Sequence, residues 1–186
     1  MEYVIRHPTI VLLFFTIPLF SWVLYNSFPH KVIRNSLLIC VALLLPCLTG
    51  YYYVIGFLAP LLLYIALSCV FYYFIKKQNK PLVATIIPTI VLFLILGVIS
   101  FYAGFIGNIT VNKVWEVKGY KIEYLKDQGF SGGALMEYEL YEYATIPIFI
   151  KHVDSKADLD TTNNCIVKFE YKNFKFDKCS LENQGF

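Results

Sequence analysis

Three glutamates in MEYELYEY, Glu137, Glu139 and Glu142, belong to a residue type that catalyses proton transfer or binds cations. General acid–base catalysis needs groups that converge on a pocket. Glu137 and Glu139 are two residues apart, so in a strand they lie side by side on one face. We therefore expect a solvated row of carboxylates rather than a catalytic pocket.

The segment DSKADLDTTNN, residues 154–164, offers the oxygen ligands that calcium prefers. An EF-hand loop requires glycine at its sixth position and glutamate at its twelfth, but counting from Asp158 these positions hold Asn163 and Phe169. We expect a solvated acidic loop, with an irregular cation site as the alternative. His152 has no metal-ligand or cysteine partner at a recognisable spacing. The sequence thus predicts no catalytic residue, no metal site and no cofactor.

Two cysteines, Cys165 and Cys179, flank the segment CIVKFEYKNFKFDKC. A pair across a predicted hairpin indicates a disulfide, and a disulfide requires an oxidising compartment. A two-residue turn at Lys172 and Asn173 would leave the cysteines one register step apart, so the bond requires a bulge or a different turn. Two free thiols are the alternative.

The charge distribution separates a membrane part from a water-facing part. Of the 186 residues 58% are hydrophobic and 16% charged, whereas soluble domains average about 25% charged. No acidic residue lies between Glu2 and Glu116, but from Lys113 onward there are ten lysines and twelve acidic residues. The net charge of +3 does not indicate nucleic-acid binding, because the basic residues of the first part lie in two short loops. The predicted domains are residues 1–107 and 108–186.

Four membrane spans are predicted, because a span needs about 20 apolar residues. They cover approximately residues 9–27, 36–53, 57–75 and 82–105. The uncharged segment LTGYYYVIGFLAP, residues 48–60, is predicted to form a tight turn between the second and third spans, since glycine, proline and interfacial tyrosine are typical of such a turn. A long tilted helix or a re-entrant segment is the alternative.

Lysine and arginine mark cytoplasmic loops in membrane proteins. NSFPHKVIRN, residues 26–35, and KKQNK, residues 76–80, are basic, whereas the tyrosine-rich turn has no charge. Both basic loops face the cytoplasm only if both termini lie outside it, although Arg6 weakly opposes this orientation. We expect an integral protein of a bacterial inner membrane with an extracytoplasmic C-terminal domain.

The C-terminal domain shows the period-two alternation of half-buried antiparallel strands. Residues 120–124, 136–140 and 167–171 each alternate apolar with charged side chains. The predicted fold is therefore a four-helix transmembrane region followed by a small all-β domain, an antiparallel sheet of about four to six strands. Pro147 predicts that its strand lies at a sheet edge or carries a bulge.

The predicted spans contain no acidic or basic side chain, which argues against an ion-coupled carrier. We predict a non-catalytic membrane protein whose outer β domain binds another membrane or extracytoplasmic protein, or modulates a membrane complex. In layout alone the chain resembles small bacterial inner-membrane accessory or immunity proteins. A channel or transporter subunit, and an enzyme acting on lipid or envelope substrates, are the alternatives.

Two segments are candidate partner-binding surfaces. GFSGGALMEYELYEY is rich in tyrosine, which is enriched at protein interfaces. The possible edge at residues 145–150 could accept an added strand. The candidate partner-binding residues are Phe130, Tyr138, Tyr141, Tyr143, Ile148 and Phe149.

Overall fold

The computed structural model describes residues 8–129, 135–158 and 165–179. Within these ranges, four helical segments are long and apolar enough to cross a membrane, and an antiparallel sheet follows them. This architecture confirms the order of helices and strands predicted from the sequence. The described residues form a helical unit and a β unit, and residues 50–54 belong to the β unit.

The helices are α1 Pro8–Leu13, continued by a 3-10 turn at Phe14–Thr16 into α2 Ile17–Ser27, then α3 His30–Leu48, α4 Leu58–Lys76 and α5 Pro81–Ile106. Helix α3 differs from the predicted span 36–53, because it begins six residues earlier and ends at Leu48. It ends there because Gly50 adopts a left-handed conformation with φ of 84°, which glycine adopts at little steric cost.

Helix α4 packs against both α2 and α3 in the helical unit. Leu24, Ile33, Cys69 and Tyr72 form its buried cluster. The Ser21 hydroxyl lies 2.9 Å from the carbonyl oxygen of Ser68 and also bonds within its own helix, 2.7 Å from the carbonyl of Ile17. Helix α5 is mostly exposed, with only 6% of its apolar stretch, Pro81–Tyr102, buried. Its apolar surface therefore suits a lipid environment.

Strand β1, Tyr51–Tyr53, lies between α3 and α4 in the chain and pairs with the β unit. It runs antiparallel to β5, Phe149–Ala157, with Tyr51 opposite Lys151 and Tyr53 opposite Phe149. The rings of Tyr53 and Phe149 are 4.8 Å apart, and both side chains are buried. The tyrosine-rich segment is thus a turn between two helices, as predicted, and its tyrosines are also an edge strand.

The remaining strands are β2 Gly107–Val117, β3 Tyr120–Gly129, β4 Leu135–Tyr143, β6 Ile166–Lys168 and β7 Lys175–Asp177. The main sheet has five antiparallel strands in the order β1-β5-β4-β3-β2, and β6 pairs with β7. Lys118 and Gly119 connect β2 to β3 and both have positive φ. Positive φ at two central residues is typical of a type I′ hairpin, whose twist matches that of its strands.

The β6–β7 hairpin covers one face of the main sheet. Ile122 and Leu140 are opposite each other on β3 and β4, and both are fully buried. Val167, Phe169 and Phe176 of the hairpin pack against them. This is the core that the period-two pattern predicts, with one face covered.

Pro147 lies in the turn before β5 rather than within a strand. The residues that follow it are not an open edge, because β1 pairs with Phe149, Ile150 and Lys151. Strand β5 carries its irregularity further along, where the register with β4 shifts between Leu140 and Tyr141. Pro147 therefore precedes the strand, at a position where its missing N–H costs no hydrogen bond of the sheet.

A disulfide joins Cys165 and Cys179, with 5.3 Å between their Cα atoms. The hairpin pairs Ile166 with Asp177 across a longer turn than two residues, so the cysteines remain one step out of register. The backbone becomes helical at Lys178 and Cys179, which brings the second sulfur to the first. The structure therefore has a turn different from the two-residue turn, as the disulfide requires. The helical backbone at Lys178 and Cys179 compensates for the remaining offset of one residue.

We predict that cysteines replacing Tyr51 and Lys151 form a disulfide, because the two residues face each other across β1 and β5. The experiment uses the full chain with its three helix cysteines replaced by alanine. Linked peptides are identified by mass spectrometry after non-reducing digestion.

The matched control places the cysteines at Tyr51 and Lys156. Five residues of strand separate Lys156 from Lys151, about 16 Å, whereas a disulfide requires Cα atoms within about 7 Å. Equal linkage in the two variants would contradict the pairing of β1 with β5.

Candidate partner-binding surface

Glu142 on β4 connects the main sheet to the β6–β7 hairpin. The Lys172 ammonium lies 2.7 Å from its Oε1, and the Tyr171 hydroxyl donates to its Oε2 at 2.7 Å. The Tyr120 hydroxyl donates a longer bond of 3.4 Å. Lys172 also lies 4.8 Å from the centroid of the Tyr171 ring, within the range of cation–π attraction. The Glu142 carboxylate therefore links the main sheet to the two-stranded β6–β7 sheet.

The partners of Glu142 move its pKa away from neutrality. The hydrogen bond from Lys172, followed by that from Tyr171, lowers the pKa of Glu142 below its ordinary value of 4.5. The same bond to Glu142 raises the pKa of Lys172. Catalytic acids and bases work best with a pKa near the operating pH, so this pair is suited to a charged structural contact.

Two aspartates of β5 and its end also accept structural hydrogen bonds. Asp154 accepts the backbone N–H of Tyr171 at 2.9 Å. Asp158 accepts the hydroxyls of Tyr124 and Tyr138 at 2.9 and 3.3 Å. Burial, and then the bond to Asp158, raises the pKa of Tyr124 to about 12. The part of the acidic loop that the structure describes thus stabilises the fold.

The opposite face of the main sheet contains a second polar cluster. Glu139 is buried and accepts the hydroxyl of Tyr141, whose ring lies 5.4 Å from that of His152. Lys121 and Glu123 form a 2.7 Å ion pair with side chains only 15% and 13% exposed. The expectation of solvated carboxylates is therefore wrong for Glu139. Its hydrogen bond from Tyr141 nevertheless lies within one strand, β4.

The disulfide also excludes the strongest metal arrangement among the described residues. Cys165, Asp177 and Cys179 place one ligand atom each within 4.8 Å of one another. Metal ions bind the thiolate form of cysteine. Because the two sulfurs are bonded to each other, neither provides a thiolate, and only the carboxylate remains.

The structure describes five of the six residues predicted to bind a partner and places them in different environments. Tyr138 is buried in the core cluster and Phe149 is buried against Tyr53. Tyr141 and Tyr143 are half-buried, and the Tyr143 hydroxyl donates to Glu116 at 2.9 Å.

Ile148 is 51% exposed, and its carbonyl accepts the backbone N–H of Val54. Phe130 lies outside the described residues. These side chains do not form one surface, and Ile148 is the most exposed of those described.

Strand β2 is the outer edge of the sheet opposite β1, and no described strand pairs with its outer side. It is 11 residues long, and Val111 and Val114 are 47% and 48% exposed. A register shift between Val111 and Lys113 makes Asn112 an extra residue, so both valines share a face with buried Leu125. The valines are three residues apart, which is why a period-two reading missed this face.

No protein-family model, curated protein or solved structure matches the chain. The architecture and the geometry of the β unit are therefore the basis for assigning a function.

We expect Glu142→Gln to destabilise the β unit at neutral pH by about 1 kcal/mol. The substitution removes a charge-assisted hydrogen bond, and the partial exposure of this bond to solvent reduces its energy. A carboxyl whose folded pKa is lowered contributes stability above its unfolded pKa and loses it as the pH falls through the folded value. The difference between wild type and variant should therefore shrink as the pH falls below 4.5 and disappear once the pH is below the lowered pKa of Glu142. Urea unfolding followed by Trp115 fluorescence, in a Trp22→Phe chain, measures it.

Glu170→Gln is the control, because Glu170 is an exposed carboxylate in the same hairpin. It should change stability by less than about 0.5 kcal/mol at either pH. An effect of Glu142→Gln that stays constant from pH 7 to pH 3 would contradict a stabilising ion pair between Glu142 and Lys172.

Proposed function

We propose that this chain is a non-catalytic integral membrane protein whose β unit lies outside the cytoplasm and binds a protein partner. The β unit binds this partner or modulates a membrane complex, in an accessory or immunity-like role. Helices α1 to α5 provide the membrane anchor. The β unit provides the recognition surface along β2.

The proposed orientation is supported by charge and by cysteine chemistry. The basic residues expected on the cytoplasmic side lie at the start of α3 and at the end of α4 and in the loop after it. They are Lys31, Arg34, Lys76, Lys77 and Lys80. With four crossings, the β unit then lies on the other side. The disulfide of the β6–β7 hairpin suits an oxidising compartment outside the cytoplasm.

Polar side chains of the helices and of the β unit make structural hydrogen bonds, and this supports a non-catalytic role. In the helices, the hydroxyls of Ser21, Ser68, Thr85 and Thr89 each donate to a carbonyl of their own helix. These hydroxyl protons are thus used within the helices. In the β unit, Glu142 and Asp154, which an envelope-modifying enzyme would use, hold the hairpin to the sheet. Neither alternative function has a comparable observation in its favour.

The observation that carries the proposal is the exposed outer side of β2. An edge strand offers backbone N–H and C=O groups to an added strand, and alternate side chains give specificity. The extra residue Asn112, next to Lys113, interrupts the regular hydrogen-bonding pattern of β2. An added strand would therefore pair regularly with β2 only before or after these two residues. Val111 and Val114, half-exposed beside Leu125, supply apolar contact area on one face.

We expect a photo-crosslinking amino acid at Val114 to form a discrete adduct with a partner in intact cells. Adding Val111→Asp to the same chain should reduce this adduct at least tenfold, because a charge on this face opposes burial against the partner. The adduct is measured by immunoblotting and identified by mass spectrometry.

Ile166 is the matched control position, since it is an apolar strand residue of the β unit that is 56% exposed. The photo-crosslinker at Ile166 should form no partner adduct, and Ile166→Asp combined with the crosslinker at Val114 should leave the Val114 adduct unchanged. Equal adducts from both positions, or no adduct from Val114, would contradict a partner site on β2.

A further inference from the structure

A cleft opens between the end of α4 and the beginning of α5. Its volume is about 490 Å³, and it is an open groove rather than an enclosed cavity. Its lining includes Lys77, Gln78 and Lys80 from the connecting loop and Phe74, Val83 and Ile87 from the helices.

The polarity of this cleft changes along its length. The loop residues present ammonium and amide groups at one end, whereas the helix residues are apolar. Ala84 and Pro88 of α5 also line it, and their small side chains leave the space between the helices. A ligand that fits would have a polar head and an apolar chain.

The charge at the polar end is positive and is not balanced within the helical part of the sequence. No acidic residue occurs between Glu2 and Glu116. Lys77 and Lys80 therefore face the cleft without a carboxylate from any described helix. An anion from outside the chain is the complement of this arrangement.

We propose that this cleft binds one anionic phospholipid. Its phosphate contacts Lys77 and Lys80, and an acyl chain lies along Phe74, Val83 and Ile87. Basic pockets between membrane helices bind anionic head groups in this way, and each surface lysine contributes attraction to an anionic lipid. Setting the orientation of the protein requires lysines in the loop but does not require a cleft beside them, so the lipid explains a feature that orientation alone leaves unexplained.

The test uses the full chain purified in a neutral detergent and titrated with phosphatidylglycerol or phosphatidylcholine. Native mass spectrometry measures the apparent Kd for the first lipid bound. We expect phosphatidylglycerol to bind at least tenfold more tightly. The double variant Lys77→Gln and Lys80→Gln should weaken phosphatidylglycerol binding about thirtyfold, which corresponds to two surface lysines, and leave phosphatidylcholine binding unchanged.

The matched control is Lys31→Gln with Arg34→Gln, which removes two charges from the other basic segment. It should retain wild-type preference for phosphatidylglycerol. Equal binding of the two lipids by the wild type, or an equal loss in the two double variants, would overturn the proposal.

A second variant tests the apolar end without changing charge. Ala84→Phe fills the cleft and should weaken phosphatidylglycerol binding at least fivefold, with helix content unchanged by circular dichroism. Soluble glycerol phosphate should not displace the lipid, because it lacks the chain. Displacement by glycerol phosphate, or full binding by a folded Ala84→Phe protein, would show that the cleft is not a lipid site. These outcomes do not depend on whether the β unit binds a protein.

Discussion

The backbone pairing of Tyr51–Tyr53 with Phe149–Lys151 is the constraint on which the rest of the structure depends. Strands pair only when they share a compartment. In the membrane topology that we propose, α4 and α5, which separate these segments in sequence, therefore return the chain to the side that it left. The same pairing covers one edge of the sheet and leaves β2 as the other. It therefore links the number of membrane crossings to the position of the partner surface that we propose.

Within the β unit, hydrogen bonds between carboxylates and tyrosines add stability that bigger domains gain from a larger apolar core. A domain of this size buries a modest share of its surface, and it gains stability from cross-links. The disulfide closes the hairpin, while Glu142 and Asp154 hold that hairpin to the sheet.

The sequence predicted the features that depend on local pattern. Span length identifies four helices, period-two alternation identifies buried Ile122 and Leu140, and the isolated cysteine pair identifies the disulfide. It could not predict that Tyr51–Tyr53 form a strand, because three tyrosines between apolar helices fit a membrane interface equally well. The extra residue Asn112 likewise broke the alternation that would have placed Val111 and Val114 on one face. Both misses involve the register of strand pairing, between distant segments for β1 and β5 and across a hairpin for β2 and β3. The pattern within one segment does not contain this register.

The most direct test of the central claim is the labelling of single cysteines in sealed right-side-out membrane vesicles with a membrane-impermeant maleimide. The three helix cysteines are replaced by alanine, and one cysteine is introduced at exposed Tyr52, Lys156 or Lys77. We expect the Tyr52 and Lys156 variants to be labelled in sealed vesicles and the Lys77 variant only after permeabilisation. Labelling of Tyr52 and Lys156 variants from opposite sides, or of both only after permeabilisation, would contradict the account.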